Sequence, residues 1–397
     1  MLGKVSRSLL GCDQHPEGSS PSRPFRAVIA GGGVAAVEAA LALRELAAER
    51  IVLTIATTAT EFVYRPLAVL RPFRSRPTYR IELARIAADL DAELVAEDAV
   101  AVESDHRQIL LSNGRKLSYD ALLIAIGARA EAIVGAGTFT PWDWGEGHAF
   151  RSLLQAVSEG EAETVAFIVP PGLTWPLPLY ELALLTRAHL RNKGMDGVTL
   201  SIVTFESAPL EDFGREASAA VARLLEQHGV ALFTRSLVGE IGGKTMRTSA
   251  GVEVPAEITV ALPVIVARTL AGVPTDAAGF IPVDDYCRVS GNLDIFAAGD
   301  CTSGSLKQGG IAAQQADVAA AGIASLAGAA IHPKPLQPEL HAVLLTGDTP
   351  LHLDQTGARP IPAGGPGIHP EPAEKIVARH LTPYLANATP PLQFDTG

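Results

Sequence analysis

A continuous apolar run, Ala27-Val28-Ile29-Ala30, ends in three successive glycines and passes at once into an alanine-rich stretch, Val34-Ala35-Ala36. Few folds accept that order. A short apolar run closed by glycine reads as a buried strand. A strand apolar on both faces belongs to a parallel sheet covered by helices. The glycines permit a tight turn, and the alanines let a helix lie close to the strand it leaves. A second segment of this kind, Leu293-Asp294-Ile295-Phe296-Ala297-Ala298-Gly299-Asp300, stands far along the chain before another Gly- and Ala-rich run. The fold class expected is α/β, with three-layer helix–sheet–helix units.

Between these segments the pattern repeats. Residues 34–48 read as helix and 51–56 as the second parallel strand. A helix is expected over 78–90, with short strands at 93–95 and 99–102. Asn113-Gly114 marks a hairpin between 108–112 and 117–118. The apolar strand 121–126 ends at Gly127. A second β-α-β unit starts near 137, with strands at 164–169, 198–205 and 230–234 and helices at 177–193 and 213–229. Strands at 258–263 and 293–298 are expected to return to the first sheet, before a helix from 309 to 327 and a last one at 373–387. The division that follows is a loose tail (1–24), a first domain in two parts (25–136 and 258–331), an inserted second domain (137–257) and a C-terminal segment (332–397).

A chain of 397 residues is long enough for two or three domains. Its net charge of −11 disfavours nucleic acid and anionic lipid. Cys12, Cys287 and Cys301 form no closely spaced pair. That argues against structural zinc, an iron–sulfur cluster and dithiol chemistry, and it fits a reducing cytoplasm. Lys4 and Arg7 precede Leu9-Leu10-Gly11-Cys12, which looks like a lipoprotein cleavage box but lacks an apolar core. No charge-free apolar stretch is long enough to span a bilayer. A cytoplasmic protein without a transmembrane segment is expected.

Two motifs carry chemistry. Gly31, Gly33 and Ala36 match G-x-G-x-x-(G/A). Gly31 serves the turn, Gly33 lets a pyrophosphate approach the backbone, and Ala36 allows close helix packing. The helix start offers free N–H groups to phosphate. The acid usual at the end of the second strand is missing from Ala56-Thr57-Thr58, which leaves the Thr57 hydroxyl as a ribose contact. Asp300 ends the distant strand after Gly299. Seven and eight residues further on, Lys307 and Gln308 precede an Ala/Gln-rich helix.

With these motifs, residues from about 25 to 330 resemble the FAD-dependent pyridine nucleotide–disulfide oxidoreductase superfamily, in its sulfide:quinone reductase and type II NADH dehydrogenase branch. The resemblance implies two Rossmann-like dinucleotide-binding domains, the second inserted in the first, with FAD in the first. It implies that Asp300 and Gly299 meet the ribityl chain and pyrophosphate, and that Val100 meets adenine through its backbone. Ala125 and Gly127 would lie where the chain leaves the domain. Lys307 and Gln308 would lie beside the flavin pyrimidine edge, with Lys307 the catalytic candidate. Arg65, in the loop Glu61-Phe62-Val63-Tyr64-Arg65-Pro66-Leu67, is either a phosphate or flavin contact or a solvated arginine.

Two departures limit the resemblance. The second domain has Pro170-Pro171-Gly172-Leu173-Thr174-Trp175-Pro176 where a nucleotide site wants glycines. Prolines lack the N–H groups a pyrophosphate needs. Glu206 alone stands where a ribose acid would lie. No cysteine pair matches the redox thiols of the sulfide-oxidising branch. The function expected is an FAD-dependent oxidoreductase passing electrons from a small-molecule donor to a quinone or other acceptor. The alternatives are NAD(P)H oxidation through an altered pocket, and a non-catalytic flavin-binding scaffold or redox sensor. The final helical stripe (Ile376, Val377, His380, Leu381, Tyr384, Leu385) is expected to dock on the protein's own flavin domain. Peripheral membrane contact and a homodimer stay open.

Overall fold

The computed structural model describes residues 23–73, 80–131, 138–139, 148–304, 306–361 and 375–388. The main strands are β1 (Phe25–Ala30), β2 (Ile51–Ala56), β3 (Glu93–Val95), β4 (Ala121–Ile124), β5 (Thr138–Phe139), β6 (Thr164–Val169), β7 (Thr199–Thr204), β8 (Val230–Phe233), β9 (Ile258–Ala261) and β10 (Ile295–Ala297). The helices are α1 (Val34–Ala47), α2 (Leu83–Asp89), α3 (His148–Ser158), α4 (Leu177–Asn192), α5 (Arg215–Gln227), α6 (Gly309–Leu326) and α7 (Leu381–Ala388).

Two five-stranded parallel sheets form the two domains. The first runs β10-β4-β1-β2-β3 and the second β5-β9-β6-β7-β8. In the first, strand order reverses direction between β1 and β4. A crevice opens at the carboxyl ends of strands at such a switch point. The α1 and α6 helices pack against each other there. Both are dominated by small residues, so their backbones approach closely. A Cβ on Gly322 of α6 would lie 2.6 Å from the Phe296 ring of β10, which is why that helix position is empty of side chain.

One expected strand goes elsewhere. Ile258–Ala261 does not rejoin the first sheet; it pairs with β6 and β5 in the second. Pro263 then interrupts the run, and Val264–Ala267 pairs antiparallel with the outgoing Ala128–Glu131. The chain thus leaves and re-enters the first domain through one two-stranded connector. A buried parallel strand has the same apolar signature in either sheet, so composition does not assign it. The helix expected over 78–90 begins only at Leu83, because Arg80–Glu82 pairs with Glu61–Val63.

The C-terminal segment touches both domains. Strands Ala342–Leu344, Leu351–Asp354 and Gly357–Pro360 form an antiparallel sheet packed against α4 and α5. The Lys375 ammonium is buried against the carboxylate of Glu181 on α4 and the carbonyl of Val343. Beyond it, the chain docks on the first domain as expected. Glu38 of α1 accepts the backbone N–H of His380 at 2.8 Å and that of Leu381. The Tyr384 hydroxyl donates to Asp89 at 2.8 Å. Ile376, Leu381 and Leu385 are buried, whereas Val377 is 56% exposed. The α7 helix covers Leu381–Ala388, Lys375 is also helical, and residues 373–374 lie outside the described residues.

Asp317 of α6 shares this junction with Glu38, Glu45, Arg379 and His380. Burial, then the Glu38 carboxylate, pushes its carboxyl up to about 7. The folded form therefore holds this proton to higher pH than an unfolded chain does. Its stabilisation is full below the ordinary carboxylate range and is lost as pH rises through about 7. Asp317→Asn should flatten that slope: thermal melts from about pH 5 to about pH 8 should show the wild-type midpoint falling relative to the variant. Parallel curves would contradict this.

Candidate functional site

The turn after β1 is held by close backbone contact. The Gly31 N–H donates to the Ala56 carbonyl at 2.9 Å, and Gly31 has φ +130°. A Cβ there would sit 2.2 Å from the Ala125 carbonyl oxygen, so only glycine fits. Gly33 is the N-cap of α1, exposed, with open space where its side chain would be. No side chain caps this helix start, and its first turn carries no acid. The first N–H groups of α1 therefore point to an open, positive helix end, which suits phosphate. Ala36 is buried on the same helix.

The opposite wall comes from β4 and β10. The Ala125 N–H donates to Ala30 at 2.8 Å, extending the ladder past β4, and Gly127 turns with φ +66°. Gly299 also has positive φ, and a Cβ there would meet Ala35 at 3.1 Å and Ala312 at 3.5 Å. Its N–H donates to Gln315 of α6 at 2.8 Å. Gln315 is a site-building residue that motif reading passed over. An amide pair, Gln314-Gln315, in an alanine-rich helix was the available signal.

Asp300 stands next, half-buried between two cations. Burial pushes its carboxyl up, against the opposing pull of Lys307 and Arg65. Its carboxylate accepts no hydrogen bond among the described residues. An anion so placed needs donors, and the hydroxyls of a polyol chain would supply them. Arg65 is exposed, and its guanidinium lies within electrostatic reach of Asp300, which pulls it up against the lowering effect of burial.

Four residues expected at the ligand have partners within the protein. Gln308 is the side-chain N-cap of α6: its Oε1 accepts from the Ile311 N–H at 2.8 Å, and its Nε2 donates to the His341 carbonyl at 3.2 Å. Lys307 donates to the Thr302 carbonyl and lies 3.8 Å from the Phe280 ring centroid. Its charge reaches the site through Asp300, and burial pushes its ammonium down. Thr57 is buried beneath Gly32, where its hydroxyl accepts from the Ala59 N–H at 3.2 Å. Val100 is exposed, with its carbonyl accepting from the Ala271 N–H at 3.2 Å.

The second domain has the same topology but a different crevice. The α4 helix begins at Leu177 behind Pro176, with a further proline in its first turn. Glu206, after β7, is turned inward. It accepts from the Tyr180 hydroxyl at 2.6 Å and from the Thr204 hydroxyl at 2.8 Å. Burial pushes its carboxyl up. Trp175 packs on Phe213, with ring centroids 5.8 Å apart.

The thiols are withdrawn. Cys301 donates to the carbonyls of Ala298 at 3.3 Å and Ile124 at 3.4 Å, and burial pushes it up to about 11. Cys287 is fully buried and pushed up to about 12. Thiols held protonated are poor nucleophiles. Cys12 lies outside the described residues. Among the described residues, two groups bring three ligand-type atoms together, Glu38–Asp317–His380 and His341–His352–Asp354. In the first, Glu38 holds two backbone N–H groups. In the second, Arg359 occupies Asp354. Both read as structural ties.

A paired α/β architecture with one open glycine turn and one distant aspartate is a dinucleotide-binding fold. The chain belongs to the pyridine nucleotide-disulphide oxidoreductase family, whose model matches residues 25–153 and 182–316. FAD is the cofactor of this family, and the uncapped α1 start fits it, as does Asp300, which accepts no hydrogen bond among the described residues. The chain is 29% identical over 233 residues to an NADH dehydrogenase-like protein of Mycobacterium tuberculosis, covering 56% of this chain and 58% of that protein. It is 26% identical over 215 residues to a sulfide-quinone reductase of Aquifex aeolicus, covering 50% and 47%. The chain thus spans about half the length of these relatives. The solved sulfide:quinone oxidoreductase of Aquifex aeolicus superposes with a TM-score of 0.75 at 20% identity, covering 83% of each chain. That likeness is one of fold.

Gly31→Ala should yield protein with little or no flavin, since the turn must open to admit the methyl group. Asp300→Ala should fold but bind FAD about tenfold or more weakly, the scale of hydrogen bonds to a charged group. Flavin-to-protein absorbance ratios after purification, and titration of the apoprotein, measure both. Full occupancy in either variant would remove that residue from the site.

Proposed function

We propose that this protein is an FAD-dependent oxidoreductase that takes electrons from a small reductant other than a nicotinamide nucleotide and passes them to a quinone or another small acceptor. The observation that carries this reading is the contrast between the two crevices. In the first domain the α1 start is uncapped and Asp300 awaits donors. In the second, Glu206 is committed to Tyr180 and Thr204, and prolines replace the N–H donors.

Bound FAD would supply two-electron chemistry intrinsic to its ring system. This chain's residues would bind and orient it. The α1 N–H groups would take the pyrophosphate, Asp300 the ribityl hydroxyls, and Arg65 would balance charge near the phosphates. Lys307, held between the Thr302 carbonyl and the Phe280 ring, would keep Asp300 ionised and so an acceptor. Its role is that of a positioning residue. Among the described residues no helix is long and apolar enough to cross a membrane. A quinone acceptor would have to be met at a surface.

The NADH dehydrogenase-like relative favours a second reading, NAD(P)H oxidation through an altered pocket. Calorimetric titration separates the two. NADH and NADPH should bind no tighter than about 100 μM, against the low-micromolar constants common for cofactor substrates. Low-micromolar binding with rapid flavin bleaching would overturn the first reading. A Cys287→Ala, Cys301→Ala variant should also reduce at the wild-type rate with any working donor. A drop of more than about tenfold would place a thiol in the path.

A further inference from the structure

A dinucleotide held across a parallel sheet has its adenosine ribose at the carboxyl end of the second strand, where an acid ordinarily accepts both hydroxyls. Here β2 ends at Ala56, and the next residues are Thr57 and Thr58. Thr57 is buried under the Gly32 turn. Thr58 is exposed, and a carboxylate reaches it from another strand. The Thr58 N–H donates to Asp98 Oδ1 at 2.9 Å and its hydroxyl to Oδ2 at 2.8 Å.

Asp98 arrives there because β2 and β3 are parallel neighbours with Ala56 opposite Val95. The Thr57 N–H donates to the Val95 carbonyl at 3.0 Å, extending that ladder one residue beyond β2. The chain then reverses, with the Glu97 N–H donating to the Val95 carbonyl at 2.8 Å. The Asp98 carbonyl is pinned by the Ser112 N–H at 2.9 Å. Backbone and side chain of Asp98 are thus both fixed, beside the strand end that lacks its own acid.

We propose that Asp98 is the acid that grips the adenosine ribose, with Thr58 as its positioning residue. The proposal rests on the reading that the first-domain crevice holds FAD. A carboxylate offers about four acceptor positions, two on each oxygen. Thr58 uses one on each oxygen. One on each remains, and two vicinal hydroxyls would use both. Asp98 is partly exposed, so these positions are open to a ligand. Two residues on, Val100 is 43% exposed, an apolar side chain left open next to the place where a base would follow the ribose.

The test is a ligand–mutant cycle on apoprotein made by flavin removal. FAD and its 2′-deoxyadenosine analogue are titrated into wild type, Asp98→Ala and Thr58→Ala, following quenching of flavin fluorescence. Wild type should prefer FAD by about tenfold, the scale of a hydrogen bond to a charged acceptor. Asp98→Ala should bind FAD about tenfold more weakly and no longer tell the two ligands apart. Thr58→Ala should reduce the preference. An equal preference in all three proteins, or none in wild type, would overturn the proposal while leaving FAD binding intact. Failure of wild type to bind any flavin would instead overturn the reading on which it rests. Should Asp98→Ala fail to fold, the Thr58→Ala and wild-type arms decide.

Discussion

At Gly31 two backbones come so close that no side chain fits between them. A Cβ would lie 2.2 Å from the Ala125 carbonyl oxygen, and the residue adopts φ +130°. The same residue bonds the exit of β2 through Ala56. Three strand ends are thereby fixed against one another before α1 begins. The helix starts at the sheet edge with no cap of its own, so its positive end opens onto the crevice. Because α1 and α6 touch through alanines around Gly299, Asp300 is carried to within electrostatic reach of Arg65 and Lys307. Larger residues at Ala35 or Ala312 would push these helices apart and take the aspartate with them.

The second domain shows that the same topology does not oblige the same site. Both sheets are parallel and five-stranded. Yet α4 begins behind prolines, and its Tyr180 closes on Glu206. A hydroxyl–carboxylate bond of this kind, buried and shared with Thr204, replaces the solvated acid a ribose would meet. Reopening it would leave three polar groups to be resatisfied, each costing about 1–3 kcal/mol when stranded. The acid at this strand end is therefore committed within its own fold.

Much of this was legible in residue order, and what was not has definite causes. Apolar runs at 26–30, 51–56, 121–126 and 164–169 located strands because parallel strands are buried on both faces. The same property hid which sheet Ile258–Ala261 would join. Gly31 and Asp300 were legible because each follows a buried strand within a short recognisable motif. Asp98 was not: it stands some forty residues from Thr58, and only the Ala56–Val95 register brings them together. Glu206 was placed correctly at the end of its strand, but the direction of a side chain is decided by its partner, here Tyr180. Gln308 was expected at the ligand. Its place immediately before α6 makes it an N-cap, a role that amides share with hydroxyls and carboxylates.

The C-terminal segment explains how two domains joined by a thin connector hold one geometry. Domains linked in this way move relative to each other unless an extensive interface prevents it. Here Lys375 is buried against Glu181 of the second domain, and the neighbouring Ile376 packs on Gly309 at the start of α6 in the first. The other Glu181 oxygen has no partner among the described residues. A buried ion pair adds little net stability when whole but costs about 3–5 kcal/mol when one partner is removed. Withdrawing Lys375 would thus strand a carboxylate inside α4. The segment is held by that penalty and by side chains of both domains, Glu181 at Leu345 and Glu38 at His380 and Leu381. Gln308, the cap of α6, bonds His341 of the same segment. The helix that carries Gln315 to Gly299 is therefore fixed from outside its own domain. The shape of the first crevice, and not merely the angle between domains, depends on the C-terminal segment staying in place.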